Sequence, residues 1–375
     1  MNKVRAVFNC LLDFAAFLFG MTLPSERRAW SNWNHPPIAV LIPAFNEEEH
    51  IADTVKSCWE QTLTLTRVLV SDDCSTDRTA VVARQAGATV VTLPKNSGTK
   101  AGAQNYALRY IPDEWIVITI DADTKLDPKA IEHLVQPLAD HNVASTCGYV
   151  IPQKQETIWE LARYAQYLFG ISIAKVGQHN FGGTLVSSGC FSAYHASLLK
   201  QYGGFPTRTM VEDMDLTWKQ MLDGYKVILV PKAVCYPVEP ENARIYIRQL
   251  DRWYRGFFQV VGLHGLKLWK NLPVLFFVLW SLIEGLLAST VILMPLVAVI
   301  RGGVALKLTL FSVIGLSIVS LSVLLESAKR GGLTKGIISL PCYFLVSIVD
   351  MYVFLRSFVL EWILRRRLTT WVKGH

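Results

Sequence analysis

The sequence predicts an α/β domain on a largely parallel sheet, joined to α-helical membrane segments. Three observations carry this. Between residues 38 and 120, short apolar strands alternate with helical stretches, the pattern of a parallel sheet with both faces covered. Acids and small polar residues close several of those strands, which in a parallel sheet gathers them on one rim. Beyond residue 256 the chain turns apolar over stretches long enough to span a bilayer.

Composition agrees with this division. With 375 residues, 51% hydrophobic and 18% charged, the chain is too apolar for an ordinary soluble protein and too charged in its middle to be all membrane. Its seven cysteines are scattered and form no Cys-x-x-Cys pair, which argues against a disulfide framework or structural zinc and for a reducing compartment. The net charge of +7 comes in part from basic residues flanking apolar runs, as at Arg27-Arg28, Lys329-Arg330 and Arg365 to Arg367. That placement fits a membrane surface better than nucleic acid.

Residues 1–24 hold an apolar run from Val7 to Leu23, interrupted by Asn9 and Asp13. It is read as a retained spanning or interfacial helix, because the small-residue site of a cleaved signal is not evident. The soluble domain, 36–256, opens with the strand from Ile38, which leads through Pro43 to Asn46-Glu47-Glu48-Glu49 and a helix. A second strand from Val68 ends at Asp72-Asp73, and a third covers Thr89 to Leu93. The fourth, Ile116 to Ile120, is apolar or β-branched throughout and ends at Asp121-Ala-Asp123, two hard oxygen ligands suited to Mg²⁺ or Mn²⁺ beside a diphosphate. Between the third and fourth, Lys95 to Leu108 is a glycine-containing turn entering a helix, with Lys100 and Asn105 on it. It can offer N–H groups and a cation to an anion, or serve as a plain surface helix.

A helical stretch from Thr157 to Val176 follows, then a small-residue run through Ser188-Gly189-Cys190 to His195. Small residues permit a close backbone approach to a ligand or a tight turn, and His195 is read as structural. Glu212-Asp213 and Asp215 open a helix, either as N-terminal capping acids or as the source of a general base. Gln249, Arg252 and Trp253 share one side of a short helix, where an Arg can neutralise a diphosphate and a Trp can stack on a sugar, or where both form an interface belt.

Residues 257–272 read as an amphipathic interfacial helix, and 273–375 as about three spanning helices with a basic tail. The apolar segments cover 273–300, 304–325 and 337–362. With the catalytic part cytoplasmic, this count puts Lys329, Arg330 and Lys335 inside but Arg365 to Arg367 outside, against the positive-inside rule. Glu284, Asp350 and Arg356 lie within the apolar runs. They face a polar pathway, or Glu284 and Arg356 pair, or Arg356 snorkels.

Asp72-Asp73, Lys100-Ala-Gly-Ala-Gln-Asn105, Asp121-Ala-Asp123, Glu212-Asp213 and Gln249-Leu-Asp-Arg252-Trp253, in that order, resemble the processive family 2 glycosyltransferases. These are the hyaluronan, chitin-oligosaccharide, poly-N-acetylglucosamine and cellulose synthases. The resemblance covers about residues 38 to 256 and implies a GT-A fold using a nucleotide-diphosphate sugar, usually a UDP-sugar. It implies Asp73, beside Asp72, at the uracil or ribose, and Lys100 and Asn105 in the nucleotide region. Asp121 and Asp123 take the diphosphate and its metal. Asp213, with Glu212, is the implied base; Gln249 and Arg252 hold the diphosphate, Gly189 lines the substrate site, and Trp253 supports the acceptor. Val211 stands where cellulose synthases carry a threonine.

The expected activity is extension of a β-linked polysaccharide with inversion, leaning to UDP-N-acetylglucosamine, with export through the protein's own helices. The expected setting is an integral protein of the inner or plasma membrane, in contact with lipids and a polysaccharide or lipid-linked acceptor. One rival is a nonprocessive transferase acting on a lipid; another is a transporter or channel with a nucleotide-sensing domain.

Overall fold

A computed structural model describes residues 33, 35–182, 184–283, 285 and 304–369. The apolar run at 7–23, Glu284, the segment 286–303 and the last residues from 370 lie outside the described residues.

Eight strands form one sheet: β1 (Ile38–Ala44), β2 (Arg67–Asp72), β3 (Thr89–Thr92), β4 (Ile116–Ile120), β5 (Lys125–Leu126), β6 (Val143–Val150), β7 (Phe191–His195) and β8 (Lys226–Tyr236), in the order β3-β2-β1-β4-β7-β6-β8-β5. The first part is parallel as the sequence predicts. Alternate residues explain its near-continuous apolar strands. Ile38, Val40 and Ile42 pack under α1 (Ile51–Trp59), with α2 (Thr79–Gln85) beside it on that face; Ala39 and Leu41 face α3 (Lys100–Leu108) on the other. Both faces are therefore dry.

Parallel order stops at β4. Strand β7 lies antiparallel between β4 and β6, so the sheet is mixed rather than largely parallel throughout. The cause is where the chain enters: Phe191 pairs with Ile120, so β7 starts at the tip of β4 and has to run back. A short helix, α4 (Ala130–Val135), and, further along, a long helical arm flank this half. The arm is α5 (Ile158–Phe169), a π-helical turn at Gly170–Lys175, and α6 (Val176–Asn180). Thr157 and Glu160 form a reciprocal capping box at its start.

After α7 (Ala196–Gln201), helix α8 (Glu212–Leu222) packs on α9 (Ala243–His264). Asp215 joins them, accepting from Arg208 Nε at 2.8 Å and Nη2 at 2.7 Å and lying 2.7 Å from His264 Nε2. Burial raises the pKa of this carboxyl, but Arg208 and His264 outweigh it and the net direction is down.

The short helix expected around Gln249 is one of 22 residues, capped by Asn242, and it continues through the expected interfacial segment. Phe257, Phe258, Val260 and Val261 are buried in it against Trp218 and Phe354, so they belong to the core. The exposed apolar surface begins later, at Leu266, Trp269 and Leu272, beside Lys267 and Lys270.

Three apolar helices close the described chain: α10 (Leu272–Ile283), α11 (Val304–Lys329) and α12 (Leu333–Phe358), the last extended by a π-helical turn at Val359–Ile363. Leu333–Ile363 is the one described helix that meets a length and composition test for crossing a membrane. Its two ends, however, both touch the α/β domain. Lys335 Nζ donates to Gln155 Oε1 at 2.6 Å near the start, and Glu361 accepts from Arg255 Nε at 2.8 Å beyond the end. Arg330, just before it, stacks on Tyr149. The helix is thus tied to the α/β domain near both ends. The chain then folds back, with Arg255 donating to the Arg366 carbonyl and Gln259 Nε2 to that of Leu368 at 3.0 Å. The basic segment at 365–367 therefore sits beside the domain. Arg356 pairs with Asp251 of α9.

Two stability predictions follow from these contacts. A Cβ on Gly148 in β6 would lie 2.3 Å from Phe191 Cδ1 and 2.6 Å from the Ala233 carbonyl. Gly148→Ala is expected to cost about 1–3 kcal/mol through overpacking, read as a lower thermal unfolding midpoint. For Asp215 the native pKa is depressed. Its stabilisation is present above the ordinary aspartate pKa and lost as pH falls through the native value. Asp215→Asn should cost about 2–3 kcal/mol at neutral pH and flatten the acid limb of stability against pH, measured by denaturant titration.

Candidate active site

The C-terminal tips of β1, β2 and β4 open onto a cavity of about 1340 Å³. Its wall includes Asp73, Lys100, Asp121, Asp123, Gly189, Glu212, Asp213, Gln249, Arg252 and Trp253, and it continues to Leu316 and Val319 of α11 and to Ser347 and Phe354 of α12. Asn46 and Cys74, just past the tips of β1 and β2, have φ of 54° and 59°. These left-handed residues turn the chain sharply away from the rim and leave the tips open.

Lys100 sits at the centre. As the first residue of α3, behind the Thr99 cap, it reaches across the rim so that Nζ lies 2.5 Å from Asp121 Oδ1 and 3.7 Å from Glu212 Oε1. It also donates to the Gly189 carbonyl at 3.0 Å. Burial works against its ammonium, but Asp121 and Glu212 outweigh burial and its pKa is raised. Burial raises the pKa of Asp121 and of Glu212 in turn, while Lys100 pulls both down and the neighbouring acids Asp123 and Asp213 push them up. Arg252 adds positive potential at both carboxylates.

Asp213 occupies the first turn of α8. Its Oδ2 accepts from Gly189 N at 2.8 Å and its Oδ1 from Met214 N at 2.8 Å. Gly189 is required by space: a Cβ there would lie 2.9 Å from Asp213 Oδ2 and 3.1 Å from Lys100 Nζ. The glycine lets a carboxylate and an ammonium close on the same peptide.

Asp73 is held by the loop before α3, its two oxygens accepting from Ser97 N at 2.7 Å and Ser97 Oγ at 2.8 Å. Asp72 and Asn105 do not line the cavity, and each has a physical reason. Asp72 Oδ1 accepts from Ser75 N at 3.1 Å in the turn after β2. Asn105 spends both ends of its amide on Phe205, donating to its carbonyl at 2.8 Å and accepting from its N–H at 2.7 Å. His195 is structural as expected, with Nε2 2.9 Å from the Leu138 carbonyl.

Asp121 and Asp123 stand on one strand tip with oxygen donors, and no cluster of three or more metal-ligating side chains occurs among the described residues. An open two-carboxylate set suits Mg²⁺ or Mn²⁺, which take their remaining ligands from phosphate and water. Four cavity residues escaped the sequence reading: Arg163, Gln166, Lys175 and Glu239. Three of them lie on the α5 arm, where a polar residue on an amphipathic helix gives no sign of facing a cavity.

A mixed sheet with its nucleotide-type rim, a strand-tip acid pair and an acid-led α8 define a GT-A domain. Residues 39–203 match the family model "Glycosyl transferase family 2". Among curated proteins it is similar to the poly-beta-1,6-N-acetyl-D-glucosamine synthase of Staphylococcus epidermidis, 26% identical over 229 residues, 60% of this chain and 55% of that one. It is also similar to an N-acetylglucosaminyltransferase of Rhizobium leguminosarum bv. viciae, 28% identical over 243 residues, 60% of this chain and 56% of that one. The match thus spans little more than half the length of these relatives. Among solved structures, the mannosyltransferase PcManGT of Pyrobaculum calidifontis, in complex with GDP-Man and Mn²⁺, aligns with a TM-score of 0.61 at 21% identity, covering 93% of this chain and 99% of that one. That likeness shows the fold.

Gly189→Ala is expected to separate Asp213 from Lys100 and lower sugar transfer at least about tenfold, with the unfolding midpoint near that of the unaltered protein. Initial-rate and melting measurements on the same preparation check this.

Proposed function

We propose that this chain is a membrane-integrated, metal-dependent, inverting glycosyltransferase that extends a β-linked polysaccharide from a nucleotide-diphosphate sugar and passes the product along its helices. The observation that carries the reading is the convergence of Asp213, Lys100 and Asp121 around Gly189, on the wall of a cavity that runs on between α11 and α12. In this reading the acceptor hydroxyl attacks the anomeric carbon, its proton passes to Asp213, and the bond to the diphosphate breaks. Lys100, Arg252 and Gln249 receive the charge that grows on the leaving nucleoside diphosphate. Asp121 and Asp123 would hold Mg²⁺ or Mn²⁺, which supplies further neutralisation of that charge when bound. Asp213 is the base and Glu212 supports it through the shared Lys100. With one base and no second carboxylate nucleophile, an α-linked donor gives a β-linked product.

The donor is a UDP-sugar in this reading, with UDP-N-acetylglucosamine favoured by the names of the two curated relatives. Mn²⁺ in the complex of the mannosyltransferase supports the metal. The catalytic domain is placed in the cytoplasm of an inner or plasma membrane protein, as the basic surface after α9 supports. A second reading, transfer of one sugar to a lipid acceptor, gains from the apolar residues of α11 and α12, such as Leu316 and Ile348, that line the same cavity.

Nucleotide release across UDP-, GDP- and dTDP-sugars with Mn²⁺ or Mg²⁺, with product sizing, tests both readings. A long polymer from one donor, abolished by chelation, is the expected outcome. A single-sugar lipid product favours the second reading, and no turnover with any donor and acceptor sinks both. Asp213→Asn should lower kcat by about 10²–10⁴ while nucleotide binding persists.

A further inference from the structure

We infer, on the strength of the transferase reading above, that Arg163 is a positioning residue that fixes the amide of Gln249 toward the leaving diphosphate. Arg163 is 3% exposed and projects from α5 into the cavity wall. Its Nη2 donates to Gln249 Oε1 at 2.6 Å and its Nη1 to Gln166 Oε1 at 2.8 Å. Its Nε lies 3.3 Å from Glu239 Oε2, and its Cζ stands 4.4 Å from the ring of Tyr246 and 4.8 Å from that of Trp253. Glu239 in turn accepts from Tyr167 Oη at 2.7 Å.

The geometry leaves Gln249 little choice. A primary amide has one acceptor oxygen and two N–H donors. Arg163 takes the oxygen, so the amide is held in one orientation with its N–H donors left for a substrate oxygen. Without Arg163 the amide can flip and turn its oxygen, a repulsive group, toward a diphosphate. The guanidinium is itself fixed, because a buried cation with one buried counter-ion and two aromatic faces has nowhere else to go. It also stands over the ring of Trp253. Nothing in the local sequence marks this role, since Arg163 and Gln249 are 86 residues apart.

The test is a double-mutant cycle on the full chain in detergent, reading UDP and GDP affinity with Mn²⁺ by calorimetry. Arg163→Met is expected to weaken binding of the preferred nucleotide about tenfold in the unaltered protein but less than about twofold in Gln249→Ala, because the partner through which it acts is gone. Arg163→Lys keeps the charge beside Glu239 without the fork, and should stay within about threefold of Arg163→Met. If Arg163→Met does not fold, Arg163→Met with Glu239→Gln removes the buried charges together and the same cycle is run on that pair. Equal losses in both backgrounds, or full recovery with lysine, overturn the assignment while leaving the transferase reading intact. A parent protein that binds neither nucleotide overturns that reading and the assignment with it.

Discussion

The site depends on one half-buried ammonium. Lys100 Nζ contacts Asp121 at the tip of β4, the Gly189 carbonyl ahead of β7 and Glu212 at the head of α8. These segments come from the parallel part of the sheet, its antiparallel part and a helix packed behind both. Glu212 is buried and Asp121 half-buried, and the cation offsets the cost of holding both charges together. The loop that carries Lys100 is itself fastened to β2 by Ser97 and Asp73. The geometry of the acids is thus set from the far edge of the rim, through one side chain.

Much of the first part of the fold was legible in the sequence because both faces of β1, β2 and β4 are covered, and a strand buried on both sides has to be apolar along its length. The mixed part was harder. β6 is buried throughout yet reads Val-Ala-Ser-Thr-Cys-Gly-Tyr-Val, with polar groups satisfied inside: Ser145 bonds Gln220 and Thr146 bonds the Leu134 carbonyl. Neither bond can be foreseen from periodicity. α9 was cut too short in the sequence reading because its polar-to-apolar change at Phe257 looks like the start of a surface helix. It is instead the point where the helix passes under Trp218 and Phe354.

Among the site residues, the acids were legible where a strand ends or a helix begins, since local structure alone delivers Asp121, Asp123, Glu212 and Asp213 to the rim. Acids and amides whose neighbours could satisfy them were not. Asp72 and Asn105 sit beside Asp73 and Lys100 in sequence or on the same helix, yet a turn N–H and the Phe205 peptide claim them. The reverse holds for Arg163 and Glu239, whose meaning comes from residues far along the chain. Their burial is visible only once α5, α9 and α12 are packed together.

That packing also orders events in time. Ala162 of α5 and Tyr246 and Leu250 of α9 are buried against Val346 and Val353 of α12, and Asp350 accepts from Tyr246 Oη at 2.8 Å. A ribosome releases α12 last among the described helices, so the back wall of the cavity stays bare until nearly the whole chain has emerged. The α/β domain is therefore not a module that can be cut out before Leu333 and moved to another protein intact. The α/β domain and its final apolar helix complete the cavity as one unit.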